Sequence, residues 1–364
     1  MPCPGVRTSH NVTEITLFEL IKTFTELPGP GGDEWIVQNF LLDRWRPQVE
    51  KTTLTPVGNL IAEVGGRGPR LLLAAHADEI CFVVKYIADD GFVWIASGQR
   101  DPEQRPTLRS SVFLPWGHPA LILTEEGPVH CLFATLTGHV LTPEQRTLTQ
   151  PTWNDIFLDV GAKNRAEAEA RGIQVGDRVI WNPPTQRMGD YVYGKAMDDR
   201  VCLAVMDRLL TVLDRDRLAY TLVFASTVQE EIGLVGAESA AEQAGCEMAI
   251  ALDVGLAGDV PGVDPRDVAA RLGSGPTVVH KDLSHYSRPL TRALIKTARA
   301  ATIPVQPAVF AFYGSDASAF TRHGLQAALV VVPTRYTHSP FEMVHLNDVE
   351  LTVQLLKQFL ETSL

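Results

Sequence analysis

The stretch STVQEEIGLVGAESAAEQAGCEMAIALDVG (226–255) decides the fold predicted for this chain. The apolar run 220–227 predicts a buried strand, and two consecutive carboxylates, Glu230 and Glu231, follow it. An alanine-rich helical pattern comes next, and a second apolar run then ends at Asp253. Strand, helix and strand predict a right-handed βαβ unit with parallel strands. The carboxyl ends of both strands, with their three carboxylates, should therefore meet at one edge of a sheet.

Polar residues follow other apolar runs in the same way. The run 71–75 leads directly to His76 and Asp78, and a later strand-like run leads to His338. Asp198 stands at the amino end of an apolar helical pattern, where the helix dipole favours negative charge. We expect these side chains to gather at the same edge of the sheet. The candidate set is His76, Asp78, Asp198, Glu230, Glu231, Asp253, Asp316 and His338.

Two imidazoles and several carboxylates form a nitrogen and oxygen ligand set. Such a set suits zinc, cobalt or manganese better than calcium, which prefers oxygen alone. It is too large for one catalytic zinc, but it would serve two metals that share a bridging carboxylate and a bridging water. Of the adjacent Glu230 and Glu231, one can bind metal while the other acts as the general base. The spacing alone does not say which.

Each candidate also has a purely structural interpretation. A histidine at a strand end is more often hydrogen-bonded structure than a ligand, and Asp198 could simply cap its helix. Asp78 and Asp316 could satisfy loop amides, and paired glutamates usually form a solvated charge patch. The joint occurrence of all these residues at one predicted sheet edge favours a metal site over separate structural explanations.

A chain of 364 residues suggests two domains, or one large domain with an insertion. Short β-like runs with frequent proline and glycine replace the α/β pattern between residues 85 and 187. We predict an α/β catalytic domain with a mixed, mostly parallel sheet and flanking helices, formed by residues 1–84 and 188–364. Residues 85–187 would form a small β-rich domain inserted into it.

Composition excludes several classes of function. The net charge of −11 and the absence of a Lys/Arg-rich stripe argue against nucleic-acid binding. No apolar run is long enough to span a membrane, and the first residues lack the apolar core of a signal peptide. The five cysteines are scattered and odd in number, which indicates a reducing cytoplasm rather than a disulfide framework.

The motifs resemble those of metallopeptidase family 42, the dinuclear glutamyl, leucyl and deblocking aminopeptidases. The resemblance covers nearly the whole chain from about Glu19, with the motifs in the same order. The matching segments are AHADE (75–79), GKAMDDR (194–200), VQEEIGLVGA (228–237), LDVGLAGDVPG (252–262), YGSDAS (313–318) and RYTHSPFEMV (335–344).

The resemblance implies a role for each of seven residues and two divalent ions per subunit, zinc or alternatively cobalt or manganese. Asp198 would bridge the ions, His76 and Asp253 would complete one site, Glu231 and His338 would complete the other, Glu230 would be the general base, and Asp78 would orient His76. The family also implies peptide substrates and self-association through the β-rich domain, up to a homododecamer.

Two departures from the family pattern stand out. His345 replaces a common acidic residue outside the ligand set, and YGSDAS (313–318) replaces a Gly-Gly-Thr-Asp-Ala segment beside the implied substrate pocket. The leading hypothesis is a metal-dependent aminopeptidase, with a metal-dependent deacylase or deblocking hydrolase on N-acyl substrates as the nearest alternative. An endoglucanase and a non-catalytic scaffold are the remaining alternatives, but no implied ligand or base is missing.

Overall fold

A computed structural model describes residues 15–98, 117–147, 153–311 and 313–362. The predicted absence of a signal peptide concerns residues outside these ranges. Eight α-helices occur in the described part of the chain. They are α1 (Leu17–Glu26), α2 (Trp35–Trp45), α3 (Arg165–Glu169), α4 (Met197–Val212), α5 (Val235–Gln243), α6 (Arg288–Ala300), α7 (Asp316–Arg322) and α8 (Leu346–Leu360).

Seventeen described strands form one large sheet and one closed barrel. The strands are β1 (Lys51–Leu54), β2 (Leu60–Gly66), β3 (Arg70–His76), β4 (Phe82–Ile87), β5 (Val93–Ser97), β6 (Pro119–Thr124), β7 (Gly127–Ala134), β8 (Phe157–Asp159), β9 (Arg178–Trp181), β10 (Gln186–Met188), β11 (Tyr191–Gly194), β12 (Thr221–Thr227), β13 (Met248–Leu256), β14 (Thr277–Lys281), β15 (Gln306–Val309), β16 (Gln326–Arg335) and β17 (Glu342–His345).

The large sheet has the strand order β1-β2-β12-β3-β13-β16-β17-β11-β10, with β14 and β15 joined to β16 at the side. Its four central strands, β12, β3, β13 and β16, are parallel, while β1, β2, β17, β11 and β10 pair antiparallel. The predicted α/β fold with a mixed sheet is therefore confirmed. The predicted βαβ unit is β12-α5-β13, and β3 lies between its two strands.

Helices cover both faces of the sheet because its central strands are apolar on both sides. The helices α1, α2, α4, α6 and α8 pack on one face around Phe24, Trp45 and Phe224. The shorter α5 and α7 pack on the other face, where alanines let the helices approach closely. No helix in the described ranges is both long and apolar enough to cross a membrane.

The strands β4 to β9, between Phe82 and Trp181, close into a barrel. Its core is aromatic: the ring of Phe82 contacts those of Phe133, Trp153 and Trp181 at centroid distances of 5.0, 5.6 and 5.4 Å. Five of the six barrel strands lie within residues 85–187, in which a β-rich insertion is expected, and β4 begins slightly earlier, at Phe82. The division at residues 85 and 187 stays a prediction.

Candidate metal centre

The candidate residues lie where the four central strands end. His76 is the last residue of β3, and Asp253 lies in the carboxyl-terminal half of β13. Glu231 follows β12 and His338 follows β16, each in a turn beyond the strand. Because these strands are parallel, the chain direction alone brings the four side chains to one edge of the sheet.

Two groups of side chains at this edge could each hold a metal ion. The ligand atoms of His76, Asp198 and Asp253 lie within 4.8 Å of one another, and so do those of Asp198, Glu231 and His338. We call the first the inner group and the second the outer group. Asp198 belongs to both, so the structure brings together all five residues that were predicted as metal ligands.

The two oxygens of the Asp198 carboxylate face different groups. Its Oδ1 lies 3.0 Å from Nε2 of His76, and its Oδ2 lies 3.4 Å from Nε2 of His338. The Nε2 atom of His338 is also 3.5 Å from Oε2 of Glu231. A carboxylate placed in this way can give one oxygen to each of two neighbouring cations.

Several buried carboxylates lie close together at the centre, and their mutual repulsion favours the binding of a cation. Burial raises the pKa values of Asp253 and Glu230 well above their ordinary range, and burial raises the pKa of Glu231 to about 7. Burial also acts against ionisation of Asp198, but hydrogen bonds with His338 and His76 outweigh it and lower the pKa of Asp198. A divalent cation would stabilise all four ionised carboxylates at once.

The donor set fits a metal on chemical grounds. Each group contains one imidazole and two carboxylates, the mixture that zinc, cobalt and manganese accept. The buried Oε1 atom of Glu231 has no hydrogen-bond partner in the described chain, although buried polar atoms are nearly always paired. A metal ion would supply the missing partner for a carboxylate of this kind.

Asp78 holds three site residues in place at once. Its buried carboxylate accepts hydrogen bonds from the backbone amides of Glu230 and Glu231, each at 3.0 Å. Its Oδ1 atom also lies 3.4 Å from Nδ1 of His76. The predicted contact of Asp78 with His76 is therefore present, and so are the loop-amide contacts of its structural interpretation, so Asp78 serves both purposes.

The turn that carries Glu230 and Glu231 is fixed at both ends. The side chain of Asn59 accepts from the amide of Val228 at 3.2 Å and donates to the carbonyl of Gly236 at 2.8 Å. A Cβ atom at Gly236 would lie 2.4 Å from the backbone of Val228, so only glycine allows this approach. The sequence motif VQEEIGLVGA thus encodes both the carboxylates and the closure of their turn.

Asp316 belongs to neither ligand group. It begins α7, is buried, and accepts a hydrogen bond from Oγ1 of Thr227 at 2.5 Å. Its inclusion in the candidate set reflected its position after an apolar run. The structure places it beside the centre, at the end of β12.

Two buried carboxylates at the centre were missed by the sequence argument. Asp199 accepts from the backbone amide of His76 at 3.3 Å. Glu342 accepts from the amides of Asp198 and His338 at 2.9 and 2.8 Å. A carboxylate that binds backbone amides has no characteristic sequence spacing. The only sequence signal is that Asp199 lies in GKAMDDR (194–200) and Glu342 in RYTHSPFEMV (335–344).

Comparison with known proteins identifies the family. Residues 58–355 match the sequence model described as M42 glutamyl aminopeptidase. The chain belongs to this family. It is thus a metal-dependent aminopeptidase, a hydrolase of peptide bonds.

Relatives of this M42 chain are similar over nearly their whole length. It is 30% identical to the lysyl aminopeptidase of Pyrococcus furiosus, covering 94% of this chain and 96% of the relative. It is also 30% identical to the glutamyl aminopeptidase of Lactococcus lactis, covering 96% of each. The TET1 peptidase of Pyrococcus horikoshii, which can assemble into a tetrahedron or a large octahedral shell, superposes with a TM-score of 0.82 at 28% identity. That match covers 95% of this chain and 99% of the TET1 chain.

Proposed function

We propose that this M42 aminopeptidase holds two divalent ions, zinc or alternatively cobalt or manganese. The inner group would hold one ion and the outer group the other, and the Asp198 carboxylate would bridge them. The observation that supports this proposal is that each Asp198 oxygen faces a different histidine. The bound ions would polarise the scissile carbonyl and lower the pKa of water at the site.

Glu230 is the carboxylate we assign to proton transfer. It is adjacent to Glu231 but belongs to neither ligand group, so its oxygens are not needed for coordination. The Glu230 carboxylate would accept a proton from the attacking water and then donate it to the leaving amine. The hydrogen bond from its backbone amide to Asp78 would hold it in position during both transfers.

Peptides with a free amino terminus are the proposed substrates. The buried carboxylates of the centre would attract a terminal ammonium group, whereas an N-acylated terminus carries no charge for them to recognise. The same chemistry could serve an N-acyl deacylase, so the substrate terminus is what distinguishes the two functions.

Hydrolysis of a panel of aminoacyl-p-nitroanilides, with an N-acetylated control, tests the proposal. Chelator-treated protein is assayed before and after addition of zinc, cobalt or manganese. Metal-restored cleavage of the free-amine substrates alone is the expected result. Cleavage of the acetylated control would move the assignment to a deacylase, and no turnover with any metal would contradict the enzymatic role.

The barrel is the proposed site of self-association, which would give a homo-oligomer between a dimer and a homododecamer. Large apolar side chains are exposed on it, among them Leu132 at 54% and Val175 at 65%. The TET1 relative can assemble into a tetrahedron or a large octahedral shell, which supports the proposal. Light scattering coupled to gel filtration would measure the mass, and Leu132→Glu should reduce it while leaving peptidase activity per subunit detectable.

A cytoplasmic location is the remaining part of the proposal. The four described cysteines, Cys81, Cys131, Cys202 and Cys246, are buried free thiols, as a reducing compartment allows. Cys3 lies outside the described residues. Fractionation of cells that produce the native protein would test this assignment.

A further inference from the structure

Glu342 stands between two segments that deliver metal ligands. It begins β17, which pairs with β11 at Gly194 and with the end of β16 at Arg335. The chain runs from β11 into Asp198, and from β16 into His338. The sheet topology therefore places one glutamate beside both routes into the outer group.

The Glu342 carboxylate connects these two segments directly. Its Oε2 accepts from the backbone amide of Asp198 at 2.9 Å, and its Oε1 accepts from the amide of His338 at 2.8 Å. The hydroxyl of Thr337 completes the connection, at 3.0 Å from Oδ2 of Asp198 and 3.4 Å from Oε1 of Glu342. Glu342 is only 2% exposed, so water does not compete effectively for these hydrogen bonds.

The backbone of both segments needs such support. Ala196, Tyr336 and His338 have φ angles of 53°, 64° and 63°, in the left-handed region that residues with a side chain seldom occupy. Strained backbone persists where surrounding contacts determine it more strongly than local preference does. The two hydrogen bonds to Glu342 come from the backbone amides of the metal-ligand residues Asp198 and His338 themselves.

We propose that Glu342 is a positioning residue of the metal centre, which fixes the backbones of Asp198 and His338 so that the outer group can hold its ion. The proposal rests on the two-ion function stated above. Glu342 belongs to neither ligand group, and it acts through the residues that it binds. Without it, Asp198 would keep its bond to His76, but His338 would lose its fixed position relative to Asp198 and Glu231.

Glu342→Gln tests the proposal with little change in volume. The two backbone amides face different oxygens of Glu342, and glutamine replaces one of these oxygens with an NH₂ group that cannot accept, so only one of the two hydrogen bonds can remain. Loss of a partner that orients metal ligands typically lowers metal affinity by roughly 10- to 100-fold. We expect this loss of affinity only for the cobalt ion of the outer group. Titration of metal-free protein with cobalt, followed by calorimetry and by the absorption of bound Co²⁺, measures it. Activity should recover when cobalt is raised to saturation.

Asp348→Asn is the matched control. Asp348 is also fully buried and accepts from two backbone amides, those of Gly273 and Gly275 at 2.6 and 2.7 Å. Those glycines carry no metal ligand. The control should lose thermal stability yet bind both cobalt ions with wild-type affinity.

Thr337→Val provides a second variant in case Glu342→Gln folds poorly. Valine matches threonine in shape but removes the hydroxyl that bonds Asp198, so the same ion should bind more weakly, by a smaller factor. Wild-type cobalt binding in both Glu342→Gln and Thr337→Val would overturn the positioning role alone. Wild-type protein that takes up no cobalt would overturn the two-ion function and this inference together.

Discussion

The inner and outer groups of the centre are built in different ways. The inner ligands His76 and Asp253 lie on adjacent central strands and are 2% and 3% exposed. The outer ligands Glu231 and His338 lie in turns after the central strands β12 and β16, and the His338 side chain is 30% exposed. Strand pairing fixes the inner group, whereas the outer group depends on how its turns are held.

The turns of the outer group contain strained backbone. Gln229 and His338, beside or within that group, have φ angles of 55° and 63°. Buried carboxylates hold these turns: Asp78 binds the amides of Glu230 and Glu231, and Glu342 binds that of His338. From this contrast we predict that an ion in the inner group is released slowly and that an ion in the outer group exchanges rapidly with solvent.

Replacement of Glu230 should slow catalysis without disturbing metal binding by either ligand group, and it should produce the largest effect. Glu230→Gln keeps the volume but cannot accept a proton, so we expect kcat to fall by about 10²–10⁴-fold. Metal content, measured by mass spectrometry of the dialysed protein, should stay at the wild-type value. A variant that keeps both its metal and its turnover would remove Glu230 from proton transfer.

Single histidine replacements should distinguish the two groups. In His338→Ala the outer ion should be lost and the inner one kept, with an affinity loss above the roughly 100-fold caused by removing an orienting partner. In His76→Ala the inner ion should be lost. The protein should also unfold at a lower temperature, because the buried carboxylates of Asp78 and Asp198 lose their contacts with the imidazole.

Chelator-release kinetics check both variants. Wild-type protein should release its metal in a fast and a slow phase, and His338→Ala should lack the fast phase. Equal release rates from both groups in wild-type protein would contradict the structural contrast, since burial then has no influence on exchange.

Asp78→Asn should weaken both groups together. Asp78 contacts His76 of the inner group and the amide of Glu231 of the outer group. We expect a roughly 10- to 100-fold loss of metal affinity, the range for partners that orient ligands. Titration with zinc should show both binding steps displaced. A change in only one step would limit the role of Asp78 to that group.

The sequence predicted the ligands of the inner group more completely than the buried carboxylates that hold the backbone of the centre. Apolar runs that end in His76 and Asp253 indicate parallel strands, and parallel strands place their ends together. The assignment of Glu230 and Glu231 to separate roles required the family resemblance. Glu342 and Asp199 could not be found, because their partners are backbone amides brought close only by the folded turns.

The smallest expected effect is a pH dependence of the metal-free protein. Burial lowers the pKa of His338, but Glu231 and Asp198 outweigh it and raise that pKa from 6.5 to about 10. A raised histidine pKa stabilises the folded chain fully below pH 6.5, and this stabilisation is lost as the pH rises through about 10. The pKa of Glu231, raised by burial from 4.5 to about 7, acts in the same direction between those values. Stability without metal should therefore fall as the pH rises.

Divalent ions should flatten this pH dependence because they displace the same protons. Urea unfolding at pH 6 and pH 9.5, with and without zinc, measures the slope in each state. His338→Asn should remove part of the slope of the metal-free protein, and a matched substitution at the exposed His323 should leave it unchanged in direction and size. A metal-free protein that becomes more stable from pH 6 to 9.5 would contradict the charge assignment of the outer group.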